Sequence, residues 1–297
     1  MNHFKLVSLA TAIALASGMN FANATVSTSG TAHAVASNDV RNLLVTPVGP
    51  NFAFGLTTTN SFDTAKLNAT QVGPLNNPVD APPAFVGTIP VANTVDNSFF
   101  PAGPTSLDYA RADAVLRLPT LNNPSTSASD IAEINLVNAG SASANAGNSA
   151  VTNFTVAGAG GRLNFSFVAD PYLRVIAVGN ATSSVSMVFS IVITNNSGSP
   201  VFSWFPDGVL DVLGGELSDP ADLNLTISAA GAAVTIDQPT SLWSAQSNVL
   251  SPGSYTLTIN MPETVNASVV PEPGSIALLG IGLLGLVGAA SARRRKP

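Results

Sequence analysis

The strongest constraint on this chain is strict alternation of apolar and polar residues. In "SSVSMVFSIVITNNSGSP" (183–200), Val185, Met187, Phe189, Ile191 and Ile193 fall on one side of an extended chain. "RLNFSFVAD" sets Leu163, Phe165 and Phe167 against Asn164 and Ser166, and "PGSYTLTINM" sets Tyr255, Leu257 and Ile259 against Thr256, Thr258 and Asn260. A period of two sends successive side chains to opposite faces of a strand, so each run calls for a sheet with one buried face. "IAEINLV", "AVTNFTVAG", "PYLRVIAVG", "VFSWF", "LNLTISAAG" and "VTIDQ" add short strands at near-regular spacing. The expected fold is all-β, an antiparallel β-sandwich of the jelly-roll or immunoglobulin-like kind. No period of fixed length recurs, which argues against a solenoid or propeller.

Turn residues divide the strands. "AGAGGR" (157–162) separates two alternating runs and reads as the turn of a β-hairpin. It precedes a strand and not a helix, so capture of phosphate by a helix N-terminus is ruled out there. Residues 25–105 hold "VTPVGPNF", "QVGPLNNPVDAPPAF" and "FFPAGP". Prolines this frequent disfavour long helices and central strands, so this part is expected to be a loose approach or one edge of the main sheet. "TSLDYARADAVLRL" (105–118) fits either a short surface helix or a pair of strands.

The chain of 297 residues contains no cysteine, which removes disulfides, thiolate catalysis, thiolate zinc sites and iron–sulfur clusters together. Stability must then come from burial in a core of adequate size. Only 9% of residues are charged. Residues 25–270 carry six cations and sixteen acids, a net charge of −10, while Arg293, Arg294, Arg295 and Lys296 crowd the end. An acidic body argues against nucleic acid, which requires clustered Lys and Arg. It leaves Ca²⁺ and neutral sugars as candidate partners.

Both ends read as addresses. In "MNHFKLVSLATAIALASGMNFANA", Lys5 precedes an apolar stretch, Leu6 to Ala16, and Ala22-Asn23-Ala24 fits small-x-small cleavage, so Thr25 would begin the mature protein. At the other end Ile276 to Ala292 is uncharged. As a helix it would span about 25 Å at 1.5 Å per residue, slightly short of a hydrocarbon core. Its glycines are tolerated in a membrane, and the four cations after it would stay cytoplasmic. Just before the span, Pro271-Glu272-Pro273 holds the chain extended and prevents a helix from starting before Gly274.

Pro-Glu-Pro, a short Gly/Leu span and an Arg cluster together resemble the PEP-CTERM sorting signal of Gram-negative bacteria. The resemblance covers about the last 27 residues and the accompanying signal peptide. It implies passage through the secretion translocon, a precursor held in the inner membrane, and recognition of the tripeptide by a membrane-embedded exosortase that removes the tail. It further implies a final place at the cell surface, in the extracellular matrix or in the medium, and a link to exopolysaccharide and biofilm. The expected organisation is a signal peptide over 1–24, a Pro/Gly-rich part over 25–130, a sandwich core over 131–268, and the sorting signal with one transmembrane helix over 269–297.

Chemistry-bearing residues are few. His3 lies in the signal peptide, which leaves His33 as the only histidine of the mature chain. It is expected to be structural or disordered, since a Ser-His-Asp triad would need it as base and no GxSxG elbow accompanies it. "DGVLDVLGGELSDPAD" gathers Asp207, Asp211, Glu216, Asp219 and Asp222. Clustered oxygens suit a hard cation such as Ca²⁺, although the spacing is not that of an EF-hand, and a solvated acidic loop is the simpler reading. Paired carboxylates could also serve glycoside hydrolysis. Of the two tryptophans, Trp204 is expected in the core, and Trp243, between polar neighbours near a turn, is the candidate exposed ring for sugar stacking. The leading expectation is a non-enzymatic exported protein that binds polysaccharide or Ca²⁺; the alternatives are a secreted carboxylate hydrolase and a purely structural matrix component.

Overall fold

The computed structural model describes residues 30–88, 99–117, 126–211 and 215–270, together with Ile281 and Leu284. The compact unit is Gly30–Val269. Its strands are β1 (Thr31–Val48), β2 (Phe52–Leu67), β3 (Thr70–Asn77), β4 (Ala84–Gly87), β5 (Tyr109–Arg117), β6 (Ser127–Leu136), β7 (Gly140–Val156) and β8 (Arg162–Ala169). They continue with β9 (Tyr172–Val178), β10 (Ala181–Met187), β11 (Ser190–Asn195), β12 (Pro200–Trp204), β13 (Glu216–Ser218), β14 (Thr226–Ala230), β15 (Ala233–Asp237), β16 (Ser241–Gln246) and β17 (Gly253–Val269).

Two antiparallel sheets pack as a sandwich, in agreement with the period-two pattern. One runs β13-β16-β8-β1-β6-β5-β4, with β9 also on β1 and β15 on β9. The other runs β12-β11-β17-β7-β2-β3, with β10 on β17 and β14 on β10. Two long strands organise them. β1 pairs β6 and β9 along its first half and β8 along its second, with a register shift between Arg41 and Leu44. β17 pairs β7 along its whole length, and on its other edge meets first β11 and then β10.

The inward-facing residues are those the alternation selects. Val185, Met187, Phe189, Ile191 and Ile193 are all buried, as are Leu163, Phe165 and Phe167. Aromatic rings fill one part of the core: Phe167 lies against Phe189, Trp204 and Trp243 at centroid separations of 4.4, 5.6 and 5.7 Å. Elsewhere alanine dominates, with Ala110, Ala112, Ala114, Ala132, Ala144 and Ala146 fully buried.

Four expectations are revised. The Pro-rich N-terminal part supplies central strands and no mere edge: β1 lies between β6 and β8/β9, and β2 lies between β7 and β3. Pro47 falls in the last paired residues of β1 and Pro74 in the edge strand β3, while the other described prolines of this part sit outside the strands. None falls in 31–46 or 51–73, so those stretches keep every ladder N–H. The boundary expected at 130/131 falls inside β6. "AGAGGR" is no hairpin turn either, because it passes the chain from β7 in one sheet to β8 in the other. Gly160 makes that crossing with φ +82°, and a Cβ there would stand 2.4 Å from the Leu250 carbonyl oxygen. Finally, the charged stretch after residue 105 is neither a surface helix nor a strand pair. It is the single strand β5, buried on both faces from Tyr109 to Leu116.

Candidate functional site

In the acidic stretch, described over 207–211 and 215–222, four of the five carboxylates face nearby backbone amides. Asp219 Oδ2 accepts from the amides of Asp207 (2.9 Å) and Gly208 (3.1 Å). Asp207 Oδ1 accepts from Val209, Asp222 Oδ1 from Asn224, and Glu216 Oε2 from Asp211. Asp207 and Asp222 also form an isolated β-bridge. Burial raises the Glu216, Asp219 and Asp222 carboxyls, and neighbouring carboxylates add to this. Their oxygens cap amides that would otherwise lack partners, as side-chain oxygens do in Asx turns. Among the described residues, no group of three or more His, Asp or Glu side chains is arranged to hold a metal ion.

Trp243 corrects the sequence reading. It is fully buried, its ring lies parallel to that of Phe167, and its Nε1 donates to the Ala221 carbonyl at 3.0 Å. The polar neighbours that suggested exposure belong to the outer face of β16, where Ser244 pairs Ser166. Trp243 ties the acidic loop to the core and offers no face to a sugar.

His33 is likewise interior. On the outer face of β1, β6 and β5 its Nε2 lies 3.0 Å from Glu133 Oε1. Arg111 Nε donates to Glu133 Oε2 at 2.8 Å, and the amides of Ala102 and Gly103 donate to the same carboxylate at 2.9 and 2.8 Å. Tyr109 Oη donates to the Gly103 carbonyl, and Asn135 Nδ2 donates to the Leu107 carbonyl. Residues 99–107 therefore lie as a strap over this face, fastened through Glu133. Burial alone would raise the Glu133 carboxyl; the His33 hydrogen bond and the Arg111 charge outweigh it and hold the group below its ordinary value. Burial, then the Glu133 charge, pushes the Tyr109 hydroxyl up. Sequence reasoning had no signal for this cluster beyond the charges of β5.

A surface feature remains. An open depression of about 500 Å³ is lined by Phe54, Phe154 and Tyr255 together with Asn153, Asn196 and Thr256. Registers align Phe54, Phe154 and Tyr255 across β2, β7 and β17, with centroids 5.5 and 5.4 Å apart. Phe54 is 37% exposed, and Leu56 beside it is 90% exposed. Thr256 Oγ1 donates to Asn153 Oδ1 at 2.9 Å. The rings of Phe154 and Tyr255 are buried on the inner face, so the outer floor of the depression is amide and hydroxyl, with Phe54 half-exposed at its edge.

Ala22, Ala24, Pro271, Glu272, Pro273, Arg293, Arg294, Arg295 and Lys296 lie outside the described residues, as does the expected span apart from Ile281 and Leu284. Among the described residues no helix is long and apolar enough to cross a membrane. The last strand, β17, ends at Val269, two residues before Pro271.

The class the fold defines is an acidic, cysteine-free antiparallel β-sandwich whose last strand leads straight into the C-terminal tail. Residues 269–296 match the model of the PEP-CTERM protein-sorting motif. The motif marks this chain as an exosortase-sorted protein with a membrane-anchored precursor. No curated protein matches the chain. Among solved structures, that of the infectious bursal disease virus Gt strain aligns at 11% identity and TM-score 0.13, covering 82% of this chain and 63% of that one. The VP2 subviral particle of infectious bursal disease virus aligns at 11% identity and TM-score 0.09, covering 86% and 74%. Similarity at this level says nothing about the fold or function of this chain.

Proposed function

We propose that the chain is a non-enzymatic protein of the cell envelope or extracellular matrix, exported through the secretion translocon, held in the inner membrane, released by exosortase processing, and associated there with exopolysaccharide. The sorting motif at 269–296 carries this reading. The depression lined by Phe54, Asn153, Asn196 and Thr256 supports the polysaccharide part, because side-chain amides and hydroxyls there suit the hydroxyl groups of a sugar. The non-enzymatic part is supported by where the chemistry lies. His33 and Glu133 are sealed under the strap, and Asp207, Glu216, Asp219 and Asp222 of the acidic stretch hold backbone amides.

The test compares the full chain with one lacking Pro271–Pro297 in the native host, by mass and by cell, matrix and medium fractions. The reading expects the full chain to lose its tail and reach the matrix with polysaccharide. A full chain recovered uncut in the inner membrane would overturn it. Glycan retention by the recovered protein, with Phe54→Ala and Asn153→Ala as variants, tests the depression; undiminished retention in both removes it. Retention that is absent altogether leaves the purely structural matrix protein.

A further inference from the structure

Carboxylic side chains also meet between the two sheets, where no solvent reaches. The inward series of β17 runs Leu257, Ile259, Met261, Glu263, Val265, and Glu263 is as buried as its apolar neighbours. Asp63 holds an inward position on β2 and Asp130 one on β6, both fully buried. The registers set Asp63 and Glu263 on either side of Ala146 of β7, in one cross-strand row. On the facing sheet, Asp130 lies between Asn38 of β1 and Ala114 of β5.

Asn148 of β7 links the two halves. Its Nδ2 donates to Asp130 Oδ1 and to the Val115 carbonyl at 3.2 Å, while its Oδ1 accepts from Ser61 Oγ. Acceptors then outnumber donors, the one remaining side-chain donor group being the Asn38 amide opposite Asp130. Asp130 Oδ2, both Glu263 oxygens and both polar atoms of Asn38 are sealed and lack a hydrogen-bond partner. Glu263 faces the Ala132 amide without closing a bond of normal geometry. The charges that act most strongly on Asp130 are Glu263, Asp63 and Asp113, the last on the other face of β5; all are negative. β1 and β7 present Asn38 and Asn148, and β5 presents Ala114.

Ionised, such a group would bury like charges with too few donors, the most costly arrangement a core can hold. Protonated, each acid turns one orphan acceptor into an O–H donor for its neighbour. We propose that Asp130 and Glu263 are neutral carboxylic acids in the native sandwich, so that two protons taken from water are part of the folded core. Burial first, then the neighbouring carboxylates, raises Asp130 well above the ordinary range, and burial raises Glu263 in the same way. In the unfolded chain both ionise above about pH 4. The native state therefore binds more protons than the unfolded one, and stability falls as pH rises from there toward the raised native values. Each retained proton makes the unfolding constant grow about tenfold per pH unit, and two make it about a hundredfold.

The experiment measures denaturant midpoints of the exported protein between pH 5 and pH 8, alongside Asp130→Asn and Glu263→Gln. The wild type is expected to lose stability with rising pH, each variant to lose about one proton of that dependence, and both to be more stable than wild type at pH 8. The acidic loop contributes a slope of the same sign, but neither variant touches it. Equal slopes in all three proteins would overturn the proposal. So would a rise in the wild-type midpoint on adding Ca²⁺ that the variants lack, since a cation would then be the neutralising species. Should a variant fail to fold, the infrared spectrum of native wild type at pH 7 decides: a protonated-carboxyl C=O band supports the proposal and its absence sinks it.

Discussion

Replacing Trp243 by alanine measures how the acidic loop is joined to the core. The side chain is fully buried, stacks parallel on Phe167 and donates to the Ala221 carbonyl. Phe167 also contacts Phe189 and Trp204, so the cavity would open in the middle of an aromatic cluster unable to collapse around it. Removing a large buried ring costs about 3–5 kcal/mol, and a carbonyl left without its donor adds about 1 kcal/mol. Against a total of about 5–15 kcal/mol, that is a large share of the fold. Trp243→Phe keeps most of the ring and loses only the donor, so about 1–2 kcal/mol is expected. Urea denaturation followed by fluorescence suits the alanine variant, because Trp204 is then the sole tryptophan and sits in the same cluster. A loss below about 1 kcal/mol for Trp243→Ala would refute the reasoning, because the ring could not then be filling a packed site. Glycan retention lost at unchanged stability would return Trp243 to the surface role that its polar neighbours suggest.

Three further outcomes follow from the same contacts. Glu133→Gln removes the carboxylate shared by Arg111, His33 and two strap amides, so a loss of about 3 kcal/mol is expected, with faster proteolysis within residues 99–107. Because Glu133 is held below its ordinary value when folded, its stabilisation is present above the ordinary Glu range and fades on acidification through the lowered value; that acid limb should vanish from the wild-type pH profile in Glu133→Gln. Gly160→Ala must place a Cβ against the Leu250 carbonyl at positive φ, which costs about 2 kcal/mol in a thermal melt. A stop after Val270 should leave the melting temperature unchanged, since every β17 pairing ends by Val269, whereas a stop after Asn260 removes the β10 pairing and should abolish folding.

The class of fold was legible because alternation reports which face of a strand is dry. It worked best where one face meets solvent, as in β8 and β17. β5 defeated it, since both of its faces are covered and its charged residues had the spacing of a solvated surface. Pairing was less legible than burial. β7 and β8 each showed a buried face with a glycine turn between them, but alternation does not say which strand lies alongside, and here the partners are β17 and β1. Proline frequency misled for a similar reason: its average over 25–105 hid two long proline-free runs. At Trp243 a ring between polar residues was taken as exposed, although its place in the strand's period of two points it inward. The same arithmetic places Glu263 in the inward series of β17, a signal that was available once the strand was followed beyond Met261.

The two buried acid clusters answer one problem in opposite ways. Without cysteine, the sandwich depends on burial, and its alanine-rich core leaves room for longer side chains opposite. Beneath the strap, Glu133 meets Arg111, His33 and two amides, so the ionised form is the satisfied one. Between the sheets, Asp130 and Glu263 meet two amide side chains and other carboxylates, too few donors for the ionised forms, so the protonated form is the satisfied one. The first cluster weakens as pH falls through the carboxylate range, and the second weakens as pH rises above it. Stability should therefore peak on the acid side of neutrality, and for a chain exported beyond the buffered cell interior the medium itself sets how tightly the two sheets hold.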